Sequence, residues 1–210
     1  MGSKYASYHI LRNEKYNDFE LLKSIYKTLP AGISDLERAA DVFSNPYVRE
    51  QMKRFLSLYK SPVIILLSSR FISVYDAALS FSTINSETKK ISKKLSAPIL
   101  YLSNFDDDVL LFGCVQSGKT IARKHIGQGL AEYGIKPVKS TVHLLRTMEG
   151  FDFLQTDALF ETTDNVNECE ASIENEFHII KKLTGEEFEK QIDCFKIIED
   201  NEAYRVVSKV

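Results

Sequence analysis

The chain has 210 residues, a formal net charge of −2, 44% hydrophobic residues and 27% charged residues, which is the composition of a globular protein with one or two domains. Its longest strictly apolar run, residues 63–67, is far too short to cross a bilayer, and its three widely spaced cysteines argue against a disulfide framework. The first 16 residues contain no long apolar leader, and the lysines are scattered rather than interleaved with aromatic residues, so we expect a cytoplasmic protein without a membrane or nucleic-acid partner.

The first 62 residues contain one strand signal followed by three helix signals. Residues 5–11 are short and rich in β-forming side chains, which favours a strand. Asn17 and Glu20 have the spacing of a helix cap, and apolar residues lie around them at helical spacing: Phe19, Leu22, Ile25 and Tyr26. Similar capping patterns predict a short helix over residues 34–43 and a further helix after Asn45.

The middle of the chain is dominated by strand signals. The apolar pattern predicts strands over residues 63–69, 71–77, 99–105 and 109–115 and one lysine-rich amphipathic helix over residues 86–96. Most of the connections are too short for the crossovers of a parallel sheet, which favours antiparallel neighbours.

Signals after residue 134 are weaker. They predict helical structure at 141–148 and 172–183, irregular structure at 154–166, a cap at Thr184 and a last strand at 204–210. No repeat or linker divides the chain. We therefore predict a single α+β domain over residues 1–210, with a mostly antiparallel sheet, helices packed mainly on one face and the clearest core in residues 63–135.

One short motif allows two readings of function. Gly113, Gly118, Lys119 and Thr120 fit the phosphate-binding pattern G-x-x-x-x-G-K-[ST]. If they form a P-loop, the protein is a nucleotide-binding enzyme, an NTPase or kinase. The loop would hold Mg-ATP or Mg-GTP, and an acid such as Asp157 would have to complete the metal site.

We favour a β-hairpin over a P-loop for this segment. Residues 117–118 (Ser-Gly) suit a two-residue turn, whereas the helix that a P-loop requires would carry Gly127 and Gly129 in its interior. No apolar strand that ends in aspartate follows the motif. The hairpin prediction pairs Gln116 with Lys119, Val115 with Thr120 and Cys114 with Ile121.

The run FISVYDAALSF, with the later ISKKLSAPILYLSNFDDDVLLFGCVQSGKTIARKHIG, resembles a family of uncharacterised bacterial proteins. The family pattern is an aromatic residue and V-Y-D, a helix ending in L-S, a strand, an acidic pair, an apolar strand, then G-K and another strand. The matching positions are 71, 74–76, 95–96, 106–108, 109–112 and 118–119. The family often has Trp where this chain has Phe71. The resemblance, over roughly residues 63–135, implies an α+β sheet protein and assigns no catalytic residue.

Two further groups of residues carry possible chemistry. Asp106, Asp107 and Asp108 could bind Mg²⁺ or Ca²⁺, but three aspartates between strands are more typical of a solvated turn. A hairpin could also bring Cys114 and His125 together, although neither forms a recognisable catalytic pattern. We therefore predict no catalytic residue, no metal and no cofactor. The remaining prediction is a non-enzymatic bacterial protein whose function is to bind a protein partner of unknown identity.

Overall fold

The structure is a computed structural model, and it describes residues 4–12, 14–27, 44–51, 63–76, 79–154, 165–183, 185–200 and 204–210. Eight strands in these ranges form one sheet. The strands are β1 Lys4–Leu11, β2 Val63–Leu67, β3 Phe71–Tyr75, β4 Ile99–Phe105, β5 Val109–Gln116, β6 Lys119–Ile126, β7 Phe195–Asp200 and β8 Tyr204–Lys209. Their order across the sheet is β6-β5-β4-β1-β3-β2-β8-β7. Only β2 and β8 pair in parallel among these strands.

Four complete α-helices, helical residues 46–51 and two 3₁₀ segments accompany the sheet in the described ranges. The α-helices are α1 Asp18–Tyr26, α2 Ile84–Lys94, α3 Val166–Phe177 and α4 Gly185–Lys190, and the 3₁₀ segments are Val142–Thr147 and Ile192–Cys194. Asparagine side chains accept backbone hydrogen bonds at the starts of three helical segments: Asn17 before α1, Asn165 before α3 and Asn45 before the helical residues 46–51.

Both faces of the sheet are covered by apolar packing. On one face, α1 and α2 contribute Leu21, Ile25 and Ile91 to a core built on β1, β3, β4 and β5. On the other face, the 3₁₀ segment 142–147 and α3 cover β4 and β5, while Phe188 of α4 packs against β2 and β8. Strand runs such as β5 are apolar on both sides, so each side requires a cover.

The α+β class and the mostly antiparallel sheet are confirmed. The described helices lie on both faces, however, which corrects the prediction that they pack mainly on one. Phe19 also departs from prediction, because it is 71% exposed and the core side of α1 is formed by Leu21 and Ile25.

Several predicted boundaries change for local reasons. The helix predicted from residue 172 begins at Val166, because Asn165 caps it, and it ends at Phe177. β7 was not predicted as a strand. The helix predicted at 34–43, the cap at Thr184 and most of the irregular stretch 154–166 lie outside the described residues.

Candidate protein-binding edge

The segment that matches the P-loop pattern is a β-hairpin. Gln116 of β5 lies opposite Lys119 of β6, and the two-residue turn has left-handed backbone at both Ser117 (φ 49°) and Gly118 (φ 77°), as a type I′ turn requires. The chain therefore runs from strand to strand, whereas a phosphate-binding loop runs from a strand into a helix whose amides face the phosphate.

Packing accounts for both glycines of the motif. Gly113 lies opposite Tyr101 on β4, and a Cβ at Gly113 would lie 2.5 Å from Cζ of the buried Tyr101 ring. A Cβ at Gly118 would overlap the side chain of Lys93 on α2. Lys119 is exposed, and Thr120 is partly exposed beside it. The two glycines thus have structural roles within the hairpin, and Lys119 and Thr120 lie on its more exposed strand.

One detail of the predicted pairing is wrong. Val115 lies opposite Thr120 as expected, but Cys114 lies opposite Ala122 rather than Ile121. A β-bulge between Cys114 and Val115 shifts the register by one residue on β6.

The three aspartates of the β4–β5 turn have separate partners. Asp106 pairs with Lys4 at 3.2 Å, Asp107 accepts a hydrogen bond from Asn104, and Asp108 accepts one from Tyr133. Asp106 and Asp107 both adopt left-handed backbone, which aspartate tolerates in tight turns. In the ranges that the structure describes, no group of three or more His, Cys, Asp or Glu residues is arranged to hold a metal ion. Asp157, the acid required by the P-loop alternative, lies outside the described residues.

Cys114 and His125 are not brought together by the hairpin. Cys114 is buried opposite Ala122, and burial raises the pKa of its thiol to about 12. His125 lies opposite Leu111, and its Nδ1 is 3.2 Å from the carbonyl oxygen of Lys136. Burial also lowers the pKa of His125. An uncharged thiol without a neighbouring base is a packing residue rather than a nucleophile.

A buried hydrogen-bonded chain across β1 and β3 was missed by the sequence analysis. His9 is fully buried, with Nδ1 2.8 Å from Oγ of Ser73 and Nε2 3.2 Å from Oγ of Ser7. Because the Ser7 hydroxyl donates to the carbonyl oxygen of Lys181 at 2.9 Å, His9 must donate from Nε2 and accept from Ser73 at Nδ1. Ser7 and His9 simply alternate with apolar residues along a buried strand, so they form no recognisable functional motif in the sequence.

The hydrogen bond between Ser73 and His9 resembles that between a catalytic nucleophile and its base. Ser73 also borders a pocket of about 350 Å³. Burial, however, lowers the pKa of His9 to about 3. A proton taken from Ser73 would create a buried imidazolium, and the group at Nε2 is a hydroxyl rather than a carboxylate that could stabilise the charge. The arrangement therefore supports a structural link between β1, β3 and residues 180–181, not nucleophilic catalysis.

A second polar cluster holds α3 on the sheet. Glu170 of α3 is 2% exposed and accepts hydrogen bonds from Tyr5 of β1 at 2.5 Å and from Asn104 of β4. Its second carboxylate oxygen lies 2.7 Å from Nζ of Lys181. Burial and then the neighbouring Glu170 charge raise the pKa of Tyr5 above its ordinary value. All of these groups satisfy one another, so the cluster orders the layer between helix and sheet.

The two edges of the sheet differ in how they are covered. At the β6 edge, the amide of Thr141 donates to the carbonyl oxygen of Arg123 at 3.0 Å, and the amide of Arg123 donates to Oγ1 of Thr141 at 3.1 Å. At the β7 edge, no described residue makes a backbone hydrogen bond to the outer side of the strand. An edge strand whose outer backbone groups have no partner among the described residues offers them to another strand.

Exposed apolar side chains are concentrated around β7. Of the eight large hydrophobic residues that are exposed in the described ranges, four lie in the β7–β8 region: Ile192, Ile197, Ile198 and Val210. Ile198 is 54% exposed, and it is the extra residue of a β-bulge, since Ile197 pairs with Val207 and Glu199 pairs with Val206. A bulge twists an edge strand and limits indiscriminate pairing with other strands.

Polar contacts anchor this edge to the rest of the molecule. Glu199 accepts hydrogen bonds from Tyr204 at 2.8 Å and from Tyr26 of α1 at 3.2 Å, and the two tyrosine rings stack at 4.2 Å. Arg205 pairs with Asp200 at 2.9 Å. The strand is thus held to β8 and α1, and no described residue bonds to the backbone of its outer side.

Comparison with protein-family models, with curated proteins and with solved structures found no match. None of the described helices is long and apolar enough to pass through a membrane.

Proposed function

We propose that this chain is a non-enzymatic protein-binding module, and that it takes an extended segment of a partner protein onto the outer edge of β7. The observation that carries the proposal is an edge strand that no described residue covers, with two adjacent exposed isoleucines, Ile197 and Ile198. Strand addition uses the free backbone groups of such an edge for affinity and its side chains for specificity.

The side chains of β7 narrow the chemistry of the partner. Glu199 and Asp200 already bond to Tyr204 and Arg205, so the groups left for a partner are Lys196 and the two isoleucines. Opposite charges and apolar pairs stabilise neighbouring strands. We expect a partner segment with an acidic residue opposite Lys196 and apolar residues opposite Ile197 and Ile198.

We also propose that the protein is bacterial and works in the cytosol. The bacterial origin rests on the resemblance of residues 63–135 to a bacterial family. The cytosolic location is supported by the free thiols of Cys114, Cys169 and Cys194, since a reducing compartment keeps cysteines in this form.

Selection of short peptides from a displayed random library, with the intact chain as bait, tests the proposal. We expect enriched peptides to bind in an extended conformation and to shift amide NMR signals of β7 and β8. The variant Ile198→Lys should weaken the affinity at least about tenfold, since burial of a hot-spot side chain contributes about 1.4 kcal/mol or more.

The matched control is Leu144→Lys, because Leu144 is 38% exposed but lies on the 3₁₀ segment 142–147. This control should change the affinity by less than about twofold, as a surface change outside the interface does. Peptides that bind Ile198→Lys as tightly as the wild type, or a selection that enriches none, would overturn the proposal.

A further inference from the structure

A cleft of about 490 Å³ lies between α1 and the carboxyl end of α2, apart from the β7 edge. Its described lining includes four lysines, Lys15, Lys23, Lys27 and Lys94, and a single acidic residue, Glu20. The volume is within the range of small-molecule sites. The cleft therefore combines the size of a ligand site with an excess of positive charge.

Among the residues that the structure describes, most of these lysines have no acidic partner. Lys15 lies 3.4 Å from Glu149, but Lys23, Lys27 and Lys94 have no carboxylate partner among the described residues. Lysines in the last turn of a helix interact favourably with its carboxyl end. This interaction explains the position of Lys23 on α1 and of Lys94 on α2. Positive charges gathered around one concavity attract an anion.

The β5–β6 hairpin contacts one residue that lines the cleft. The carbonyl oxygen of Ser96, a lining residue, accepts hydrogen bonds from Gln116 and from Tyr16, each at 3.2 Å. Lys119 lies opposite Gln116 across the hairpin and is exposed. Lys119 itself is not among the described residues that line the cleft.

We propose that this cleft binds a small anion that carries a chain of phosphate groups. Lysine binds phosphate as a point charge, and cations contributed by several elements suit a ligand with several negative charges. Tyr16 is the single aromatic residue among the described lining, so the cleft lacks the successive stacking platforms that single-stranded nucleic acid uses. The ligand class is therefore a small di- or triphosphate, recognised through its phosphates.

Isothermal titration with inorganic triphosphate at low ionic strength tests this site. We expect binding at a ratio of one ligand per chain, weakened at least about tenfold in the double variant Lys27→Gln and Lys94→Gln. The matched control replaces two exposed lysines elsewhere, Lys136→Gln and Lys139→Gln, and should change the affinity by less than about twofold.

A parallel titration with ATP, without Mg²⁺, distinguishes a nucleotide from a free phosphate chain as the ligand. Equal affinity for ATP and triphosphate assigns recognition to the phosphate chain alone, and tighter binding of ATP assigns the site to nucleotides. Equal weakening by the two double variants, or no binding at millimolar triphosphate, would overturn the proposal. Thermal melts of both variants show whether they are folded, so a loss of binding is not mistaken for unfolding.

Discussion

The two hairpins at opposite edges of the sheet are built differently. The β5–β6 hairpin is packed through Tyr101 and Gly113, and its outer strand is covered at Arg123 by Thr141. The β7–β8 hairpin presents exposed isoleucines and an outer strand that is covered by none of the residues the structure describes. The β6 edge is thus closed by a backbone pairing, whereas the β7 edge exposes apolar side chains and is bonded on its outer side by no described residue, which is the contrast on which the proposed binding role rests.

The largest expected contrast between the hairpins lies in core packing. Gly113→Ala should lower the free energy of unfolding by about 2 kcal/mol, because the new methyl group meets the Tyr101 ring, which is 1% exposed and unable to move aside. Ile198→Ala on the opposite hairpin should change it by less than about 0.5 kcal/mol. Urea unfolding of both variants measures the difference, and equal losses would contradict the contrast.

The centre of the sheet, between the hairpins, should make stability depend on pH through His9. Its folded pKa of about 3 is below the ordinary value of 6.5, so the unfolded chain binds the proton first. The stabilisation is complete above about pH 6.5 and is lost as the pH falls, by about 1 kcal/mol per pH unit.

Urea unfolding between about pH 6.5 and 5, above the range in which carboxylates titrate, measures this slope. The variant His9→Gln removes the titrating group, and its slope should be shallower by one proton. An identical slope in the variant and the wild type would show that His9 is not kept neutral by burial.

The smallest expected effect is at the covered edge. Thr141→Val removes the hydroxyl that accepts from the Arg123 amide at 3.1 Å, and it should lower the free energy of unfolding by about 1 kcal/mol. Hydrogen exchange at Arg123 should become faster. Thr147→Val is the control, because the Thr147 hydroxyl donates to Leu144 within its own 3₁₀ segment. If Arg123 exchanges no faster than in this control, Thr141 does not cover the edge.

Local signals predicted the β5–β6 hairpin well. Residues 117–118 (Ser-Gly) identified the turn, and the short connections identified antiparallel strands. The pairing of Cys114 could not be predicted, because a β-bulge inserts one residue without a distinctive sequence. Strands that are apolar on both sides require helices on both faces of the sheet. Apolar periodicity alone did not predict these two helical layers.

The candidate sites depend on contacts that are distant in sequence. β7 reads FKIIED, and its charged residues hid the strand, which is specified by pairing with β8. The lysines of the cleft were scattered along the sequence, and only the packing of α1 near α2 gathers Lys27 and Lys94. Motif spacing carries no information about such clusters, because folding and not chain order makes them neighbours.

The parallel pairing of β2 with β8 has a consequence for biosynthesis. β2, with the sequence VIILL, cannot acquire its outer neighbour until residues 204–209 have left the ribosome. During that interval, β2 itself would be the end of a nascent sheet, and an apolar edge strand is prone to aggregate. Folding should therefore be slow in its last step, and the nascent chain is the form in which a chaperone would be needed most.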